Sequence, residues 1–265
     1  MILSGGGASP AFCKTVSRSD PRDSPTITAS AVYAVDYTNR KVLCSRNAHV
    51  PFYPASTVKL LTALVVLDNK DLKDSIVITR RAVNVRPTKA GLTKGAYYSV
   101  EDLLKVLLAT SANDAGVALA QAVAGSEEQF ALLMNKKARS LGATDSNFTN
   151  ATGLPDKRQV TSAYDLSIIA RAAFSHPFIA SLMKEKIVTI AGSDGKKISR
   201  TNHNKLLWRV TDPCVLGKTG YTRAAGHSYA GIAYYDDRRV SVVILKSRKP
   251  WSDICRILSI PVAKK

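Results

Sequence analysis

The stretch YPASTVKLLTALVVLD, residues 53–68, places a serine and, three residues later, a lysine at the start of a long apolar run. Leu60, Leu61, Leu64, Val65 and Leu67 recur at helical spacing, which predicts a helix from about Ser56 to Asp68 with an apolar face turned to a core. Three residues is close to one turn, so Ser56 and Lys59 share a face within hydrogen-bonding reach. The helix N-terminus also favours negative charge developing beside it. A serine that only starts the helix, followed by a surface lysine, explains the same letters. Two further Ser-x-x-Lys stretches, SLMK at 181–184 and SDGK at 193–196, show how little the spacing says alone.

Working outward, ASAVYAVDY (29–37) and KVLCS (41–45) are β-rich and flank a TNR turn. SVEDLLKVLLAT (99–110) reads as a helix capped by Ser99 with acids in its first turn. SAND interrupts it, and AGVALAQAVAG resumes as helix to Gly125. In SEEQFALLMNKKARSLG (126–142), Ser126 and Gln129 fit a capping box and Gly142 a C-terminal stop. TSAYDLSIIARAAF (161–174) is a helix capped by Thr161 or Ser162. The last third turns to strand: KIVTIAG, GKTG, then GHSYAGIAYYDDRRVSVVILKS, a hairpin turning at Asp236 and Asp237. An amphipathic helix from about Trp251 ends the chain. Strands at both ends with helices between predict an α/β layer closed by both termini, with a mainly helical subdomain inserted at roughly 80–185. Residues 1–25, rich in Gly, Ser and Pro, read as a flexible lead-in to one domain over 26–265, and they lack the apolar segment of a signal peptide.

The 265 residues carry 38 Lys and Arg against 20 Asp and Glu, a formal charge of +18 that favours polyanions. The basic residues are spread along the chain without a nucleic-acid motif, which reads as a solvated basic surface. No apolar run is long enough to span a bilayer. Cys13, Cys44, Cys214 and Cys255 are too scattered for metal-ligand spacing, as are the four His, so neither metal nor other cofactor is expected.

Two later signals change the reading of Ser56. SAN, Ser111 to Asn113, breaks a helical pattern, and KTG, Lys218 to Gly220, sits on a strand. Each alone is explained by a helix–helix turn or a strand ending in a glycine bulge. Ser-x-x-Lys, Ser-x-Asn and Lys-Thr-Gly in that order, on helix, loop and strand, form the signature of penicillin-binding proteins and serine β-lactamases.

The chain resembles the low-molecular-mass penicillin-binding proteins, the D-alanyl-D-alanine carboxypeptidase and endopeptidase group. The likeness runs from about Ala29 to the C-terminal helix, through VLCSRNAHVPFYPASTVKLLTALVVL, LLATSANDAGVALA, NFTNATGLPDKRQVTSAYDLSIIARA and GKTGYTRAAGHSYAGIA. No Glu-x-x-x-Asn stretch is present to supply the deacylating carboxylate of class A β-lactamases. The resemblance implies a DD-peptidase/β-lactamase-like fold, an antiparallel sheet flanked by helices. It implies Ser56 as nucleophile, Lys59 as general base and Ser111 as proton relay to the leaving amine. Asn113 would hold the substrate amide, and Lys218 and Thr219 the terminal carboxylate. Gly220 would let the strand approach the substrate, and the backbone N–H groups of Ser56 and Tyr221 would form the oxyanion hole. Matching the SVV run selects Arg238, with Arg239 facing away, as a second reader of the carboxylate. Peptidoglycan stem peptides are the implied substrates, β-lactams the covalent inhibitors, and an extracytoplasmic or periplasmic location follows; nucleic acid is not a partner, and peripheral membrane contact stays open. Two departures stand out. Thr152 replaces a histidine common before the Gly-Leu of the TGL segment, as in the endopeptidase branch. The chain also stops one helix after the last strand, leaving no length for a second β-rich domain and amphipathic anchor. Carboxypeptidase is the leading reading. Endopeptidase, β-lactamase and a non-catalytic wall-binding module are its rivals.

Overall fold

Strands buried on both faces lose the polar alternation of half-exposed ones, and AVYAVD and RVSVVILKS have that near-continuous apolar character. They are the two central neighbours of a five-stranded sheet in the computed structural model, which describes residues 27–259 apart from 211, 212 and 236. The expected N-terminal lead-in, Cys13 and half of the Asp236–Asp237 turn lie outside the described residues.

The chain begins with β1 (Ala31–Asp36) and β2 (Lys41–Arg46), then a 3-10 turn (Ala55–Val58) running directly into α1 (Lys59–Leu67). A small hairpin, β3 (Ser75–Val77) and β4 (Tyr97–Ser99), encloses the short α2 (Arg80–Val83). The helices α3 (Val100–Thr110), α4 (Asn113–Ala124), α5 (Glu127–Leu141), α6 (Ala163–Ser175) and α7 (Pro177–Leu182) follow. A second hairpin joins β5 (Ile187–Ala191) to β6 (Lys197–Thr201), and α8 (Leu206–Arg209) leads to the last sheet strands. These are β7 (Cys214–Thr222), β8 (Gly226–Tyr234) and β9 (Arg239–Ser247), closed by α9 (Pro250–Ile257).

The main sheet is antiparallel throughout, in the order β2-β1-β9-β8-β7. Pairing of β1 with β9 joins the two ends of the chain, as the sequence pattern predicts. Alternation along β9 splits the core in two. Val240, Val242 and Ile244 face α9 with Ile254 and Ile257, while Val243 and Leu245 face the helical layer. On the α9 side, the buried Asp253 carboxylate accepts hydrogen bonds from the Thr28 amide (2.9 Å), the Thr28 hydroxyl (2.7 Å) and the Ser247 hydroxyl (2.6 Å). Those bonds pin the start of the described chain and the end of β9 onto the last helix.

The predicted caps form. Ser99, Ser126 and Ser162 accept from the amides of Asp102, Gln129 and Asp165, and Gly142 ends α5 at φ 90°. Two placements are not marked in the sequence. KIVTIAG is a strand, but it pairs only with β6 in a separate hairpin, because Ile187, Thr189 and Ala191 are exposed on one side and cannot sit inside the main sheet. And α6, which the sequence pattern assigns to the helical insertion, lies against β1, β8 and β9. Its buried Leu166, Ile169, Ala170 and Ala173 cover the sheet face opposite α9.

Candidate active site

Because β7 is an edge strand, its outer side is open to a ligand. Beside its C-terminal half the chain brings together the 3-10 turn, the α3–α4 junction and the loop through Gly153. Ser56 lies in the turn, not at an α-helical N-cap, and the preceding Ala55 is held at φ 48°. Such backbone in a residue with a Cβ persists only where its surroundings enforce it. Two glycines allow that. A Cβ at Gly220 would stand 2.9 Å from the Ser56 nitrogen, so strand and turn touch only because residue 220 has none. A Cβ at Gly153, whose φ is 82°, would fall 1.9 Å from the Ala55 carbonyl oxygen. The glycine of the TGL segment therefore seats the loop on the turn that carries Ser56.

Lys59 is fully buried. Its Nζ lies 2.9 Å from Ser56 Oγ and 2.7 Å from Asn113 Oδ1, and it also donates to the Thr152 carbonyl. Burial first, and Lys218 second, push its pKa well below that of a free lysine, while the Asp114 carboxylate opposes them. A neutral amine has two N–H donors and one lone pair. Committing the donors to Asn113 Oδ1 and the Thr152 carbonyl leaves the lone pair for the hydroxyl of Ser56. Thr152 enters this set through its main chain, so threonine in place of histidine leaves the contact intact.

Ser111 ends α3 in the left-handed region, at φ 64°, and its Oγ accepts from Lys218 Nζ at 2.5 Å. Lys218 is also buried, and burial pushes its pKa down to about 7. Asn113, the first residue of α4, donates from its amide Nδ2 to the Arg86 carbonyl (3.0 Å) and from its backbone to that of Thr88 (2.7 Å). The next residue, Asp114, was not singled out from sequence. Its buried carboxylate accepts from the amides of Ala90, Gly91 and Leu92 at 2.9, 2.9 and 3.3 Å and so holds the loop that orients Asn113. An acid in the first turn after Ser-x-Asn was the available signal.

Ser56, Ser111, Thr219, Gly220 and the exposed Tyr221 line one cavity of about 330 Å³. His203, Lys205 and Trp251 also line it, and no spacing in the sequence marks them. Burial, then Lys218 and Lys59, push His203 down to about 4, so it is neutral at physiological pH. Among the described residues no three His, Cys, Asp or Glu side chains gather to hold a metal ion.

Arg238 is not in this group. Lys218 lies opposite Ala230, and Ala230 opposite Val243. Arg239, beside Arg238, lies opposite Tyr234 and so level with Cys214. The span from Cys214 to Lys218 is about 13 Å at strand rise, with two strand spacings besides. Arg238 instead stacks on Tyr235 at 4.4 Å and shares a different cavity with Tyr37, Arg171 and Arg239. The strand that follows Arg238, β9, runs antiparallel to β8 and begins at the end remote from Ser56. Its other end, where Ser247 pairs with His227 and Trp251 follows, reaches the cavity.

A sequence profile described as D-alanyl-D-alanine carboxypeptidase matches residues 16–249. The chain belongs to that family. Among the family's curated members, D-alanyl-D-alanine carboxypeptidase DacB2 of Mycobacterium tuberculosis is 34% identical over 212 residues, 79% of this chain and 72% of the relative. DacC of Escherichia coli is 34% identical over 238 residues, 85% of this chain but only 58% of the relative. Solved structures of the carboxypeptidase fold superpose closely. The D-alanyl-D-alanine carboxypeptidase from M. tuberculosis gives a TM-score of 0.82 at 29% identity, covering 91% of this chain and 95% of that one. The Streptomyces K15 DD-transpeptidase gives 0.81 at 26% identity, covering 89% and 97%.

Proposed function

We propose that the chain is a serine-type D-alanyl-D-alanine carboxypeptidase acting on peptidoglycan stem peptides outside the cytoplasm, and that β-lactams acylate it at the same serine. One observation carries this reading: a buried lysine, depressed in pKa, sits 2.9 Å from a serine hydroxyl while Asn113 and Thr152 take its other hydrogen bonds.

In acylation, Ser56 Oγ attacks the carbonyl carbon of the penultimate D-alanine and its proton passes to Lys59. The backbone N–H groups of Ser56 and Tyr221 receive the oxyanion beside Gly220. The carbon–nitrogen bond then breaks, and Lys59 gives up the proton it took, which reaches the leaving amine through Ser111, whose hydroxyl is bonded to Lys218, so that Lys59 is neutral again. Water completes the cycle. It yields a proton to Lys59 and attacks the ester carbon, and Ser56 leaves with a proton restored. Lys218 and Thr219 hold the substrate's terminal carboxylate, and Asn113 its amide.

The test is product analysis. Incubation with purified muropeptides should release free D-alanine and convert pentapeptide to tetrapeptide stems, followed by mass spectrometry. Unchanged pentapeptides with a fully acylable enzyme would set the carboxypeptidase reading aside.

A further inference from the structure

The cavity beside Arg238, of about 570 Å³, opens between α6 and the β8–β9 hairpin. Tyr229 on β8 lines the catalytic cavity, and Tyr234, five residues along the same strand and about 17 Å away at strand rise, lines this one. Three arginines reach it, each lying over a tyrosine ring. Arg171 is 5.0 Å from the Tyr37 centroid, Arg238 4.4 Å from that of Tyr235, and Arg239 5.9 Å from that of Tyr234. The rings are held in place by their hydroxyls. Tyr37 donates to the Ser167 carbonyl (2.9 Å), Tyr234 to that of Phe174 (3.2 Å) and Tyr235 to that of Leu258 (3.0 Å). The backbone of Arg239 is fixed as well, its amide donating to Thr38 Oγ1 (3.0 Å) and its carbonyl accepting from the Tyr37 amide (2.9 Å).

Cations gathered around one space repel one another. Asp237, exposed on the hairpin, is the one acid in the lining among the described residues. Among those residues the side chains of Arg171 and Arg239 have no ion pair and no hydrogen bond, only their rings. Each guanidinium carries five N–H donors in a planar fork, so both keep donors for an oxyanion. A carboxylate's acceptor sites lie in one plane, which a single fork fills. Phosphodiester oxygens are set tetrahedrally about phosphorus, so forks arriving from α6 and from β9 can both reach them. The cavity is larger than the catalytic one, at about 570 against about 330 Å³, and the surrounding surface shares a charge of +18. Both favour a chain of phosphates over a single one. None of the exposed large apolar side chains lines the cavity, so its rim has nothing to enter a bilayer.

We propose that this cavity binds a phosphodiester polyanion, a water-soluble chain of the polyol-phosphate type, at a site separate from that of Ser56. Arg171 and Arg239 grip its phosphates, and Arg238 adds positive charge. Binding there needs no role for Ser56 and tethers the enzyme to an anionic polymer while the catalytic cavity stays open.

Fluorescence anisotropy of a labelled oligo(glycerol phosphate), titrated with the full chain at low salt, tests this. Arg171→Gln and Arg239→Gln should each weaken binding about threefold and together about tenfold, the scale of exposed, screened contacts. Lys136→Gln with Arg139→Gln removes as much charge from the exposed side of α5 and should leave the affinity within about twofold of wild type. Polyglutamate of equal charge should bind about fivefold more weakly than the phosphate oligomer. Saturating oligomer should leave the rate of β-lactam acylation unchanged, as should both cavity substitutions. Equal losses in the α5 and cavity double variants would reduce the site to the general basic surface and overturn it. Polyglutamate binding as tightly as the phosphate oligomer would overturn it too. So would tighter binding to oligothymidylate of equal charge, or a preference for phosphatidylglycerol vesicles, which would point to nucleic acid and to a membrane. An oligomer that blocks acylation would place the polymer at Ser56 and overturn the separate site.

Discussion

Replacing Lys59 with methionine should slow acylation of Ser56 by about 10²–10⁴-fold, the range that a positioned general base supplies. The methionine fills much of the same buried space without a basic nitrogen, so the loss reports chemistry more than packing. In the wild type, acylation should rise with pH as Lys59 loses its proton, with the rise well below the pH at which a free lysine would titrate. In Lys59→Met that limb should vanish from the rate on β-lactam. Folding stability carries the same sign. A lysine with a depressed folded pKa binds more protons unfolded than folded between its two pKa values, so stability climbs with pH across that window. For Lys218 the window runs from about 7 to 10.5, and the stability gained there is lost again as pH falls through about 7. Stopped-flow acylation and urea unfolding across pH measure the two effects. A pH limb that persists in Lys59→Met would assign the base elsewhere.

Gly153→Ala should be nearly as damaging to activity, though it adds only one methyl. The added carbon would lie 1.9 Å from the Ala55 carbonyl oxygen and 2.9 Å from the Ser56 nitrogen, both main-chain atoms that cannot rotate away. The left-handed φ of 82° adds about 1–2 kcal/mol of strain. Either the loop retreats, taking the Thr152 carbonyl from Lys59, or the turn carrying Ser56 shifts. A displacement of about 1 Å at a catalytic group costs about 10²-fold, and that is the loss expected in acylation rate. Gly142→Ala is the matched control. Its φ is 90°, but nothing lies within 4 Å of the added carbon, so it should lower stability slightly and leave acylation alone. Equal activity losses in the two variants would show that backbone strain, not contact with the Ser56 turn, matters at Gly153.

These cases mark what a single sequence carries. Side chains that cap helices or line a core announce themselves by type and spacing, so Ser99, Ser126 and Ser162 and the apolar stripe of α1 were legible. The three motifs were legible by order, and the structure joins Ser56, Lys59 and Asn113 in one hydrogen-bonded set and Ser111 with Lys218 in another, with Ser56 and Ser111 lining the same cavity. Contacts made by main-chain atoms leave no such mark. The Thr152 carbonyl is the same for any residue, and Gly153 acts through an atom it lacks; Gly220 was marked by the Lys-Thr-Gly motif, though for approach to substrate and not for the Ser56 turn it touches. Arg238 failed for a different reason. A motif match can place a residue on a strand without telling which end of that strand reaches the site, and in an antiparallel sheet the two ends differ by the full strand length. His203, Lys205 and Trp251 come together only because α8 and α9 flank β7 and β8, a long-range placement that no local pattern encodes.

Ser56 is expected to carry the covalent intermediate. Incubating the chain with a fluorescent penicillin, digesting it and locating the adduct by mass spectrometry tests this. The expected result is a single adduct on Ser56, with no labelling of Ser56→Ala. An adduct on any other residue, or labelling that survives in Ser56→Ala, would contradict it.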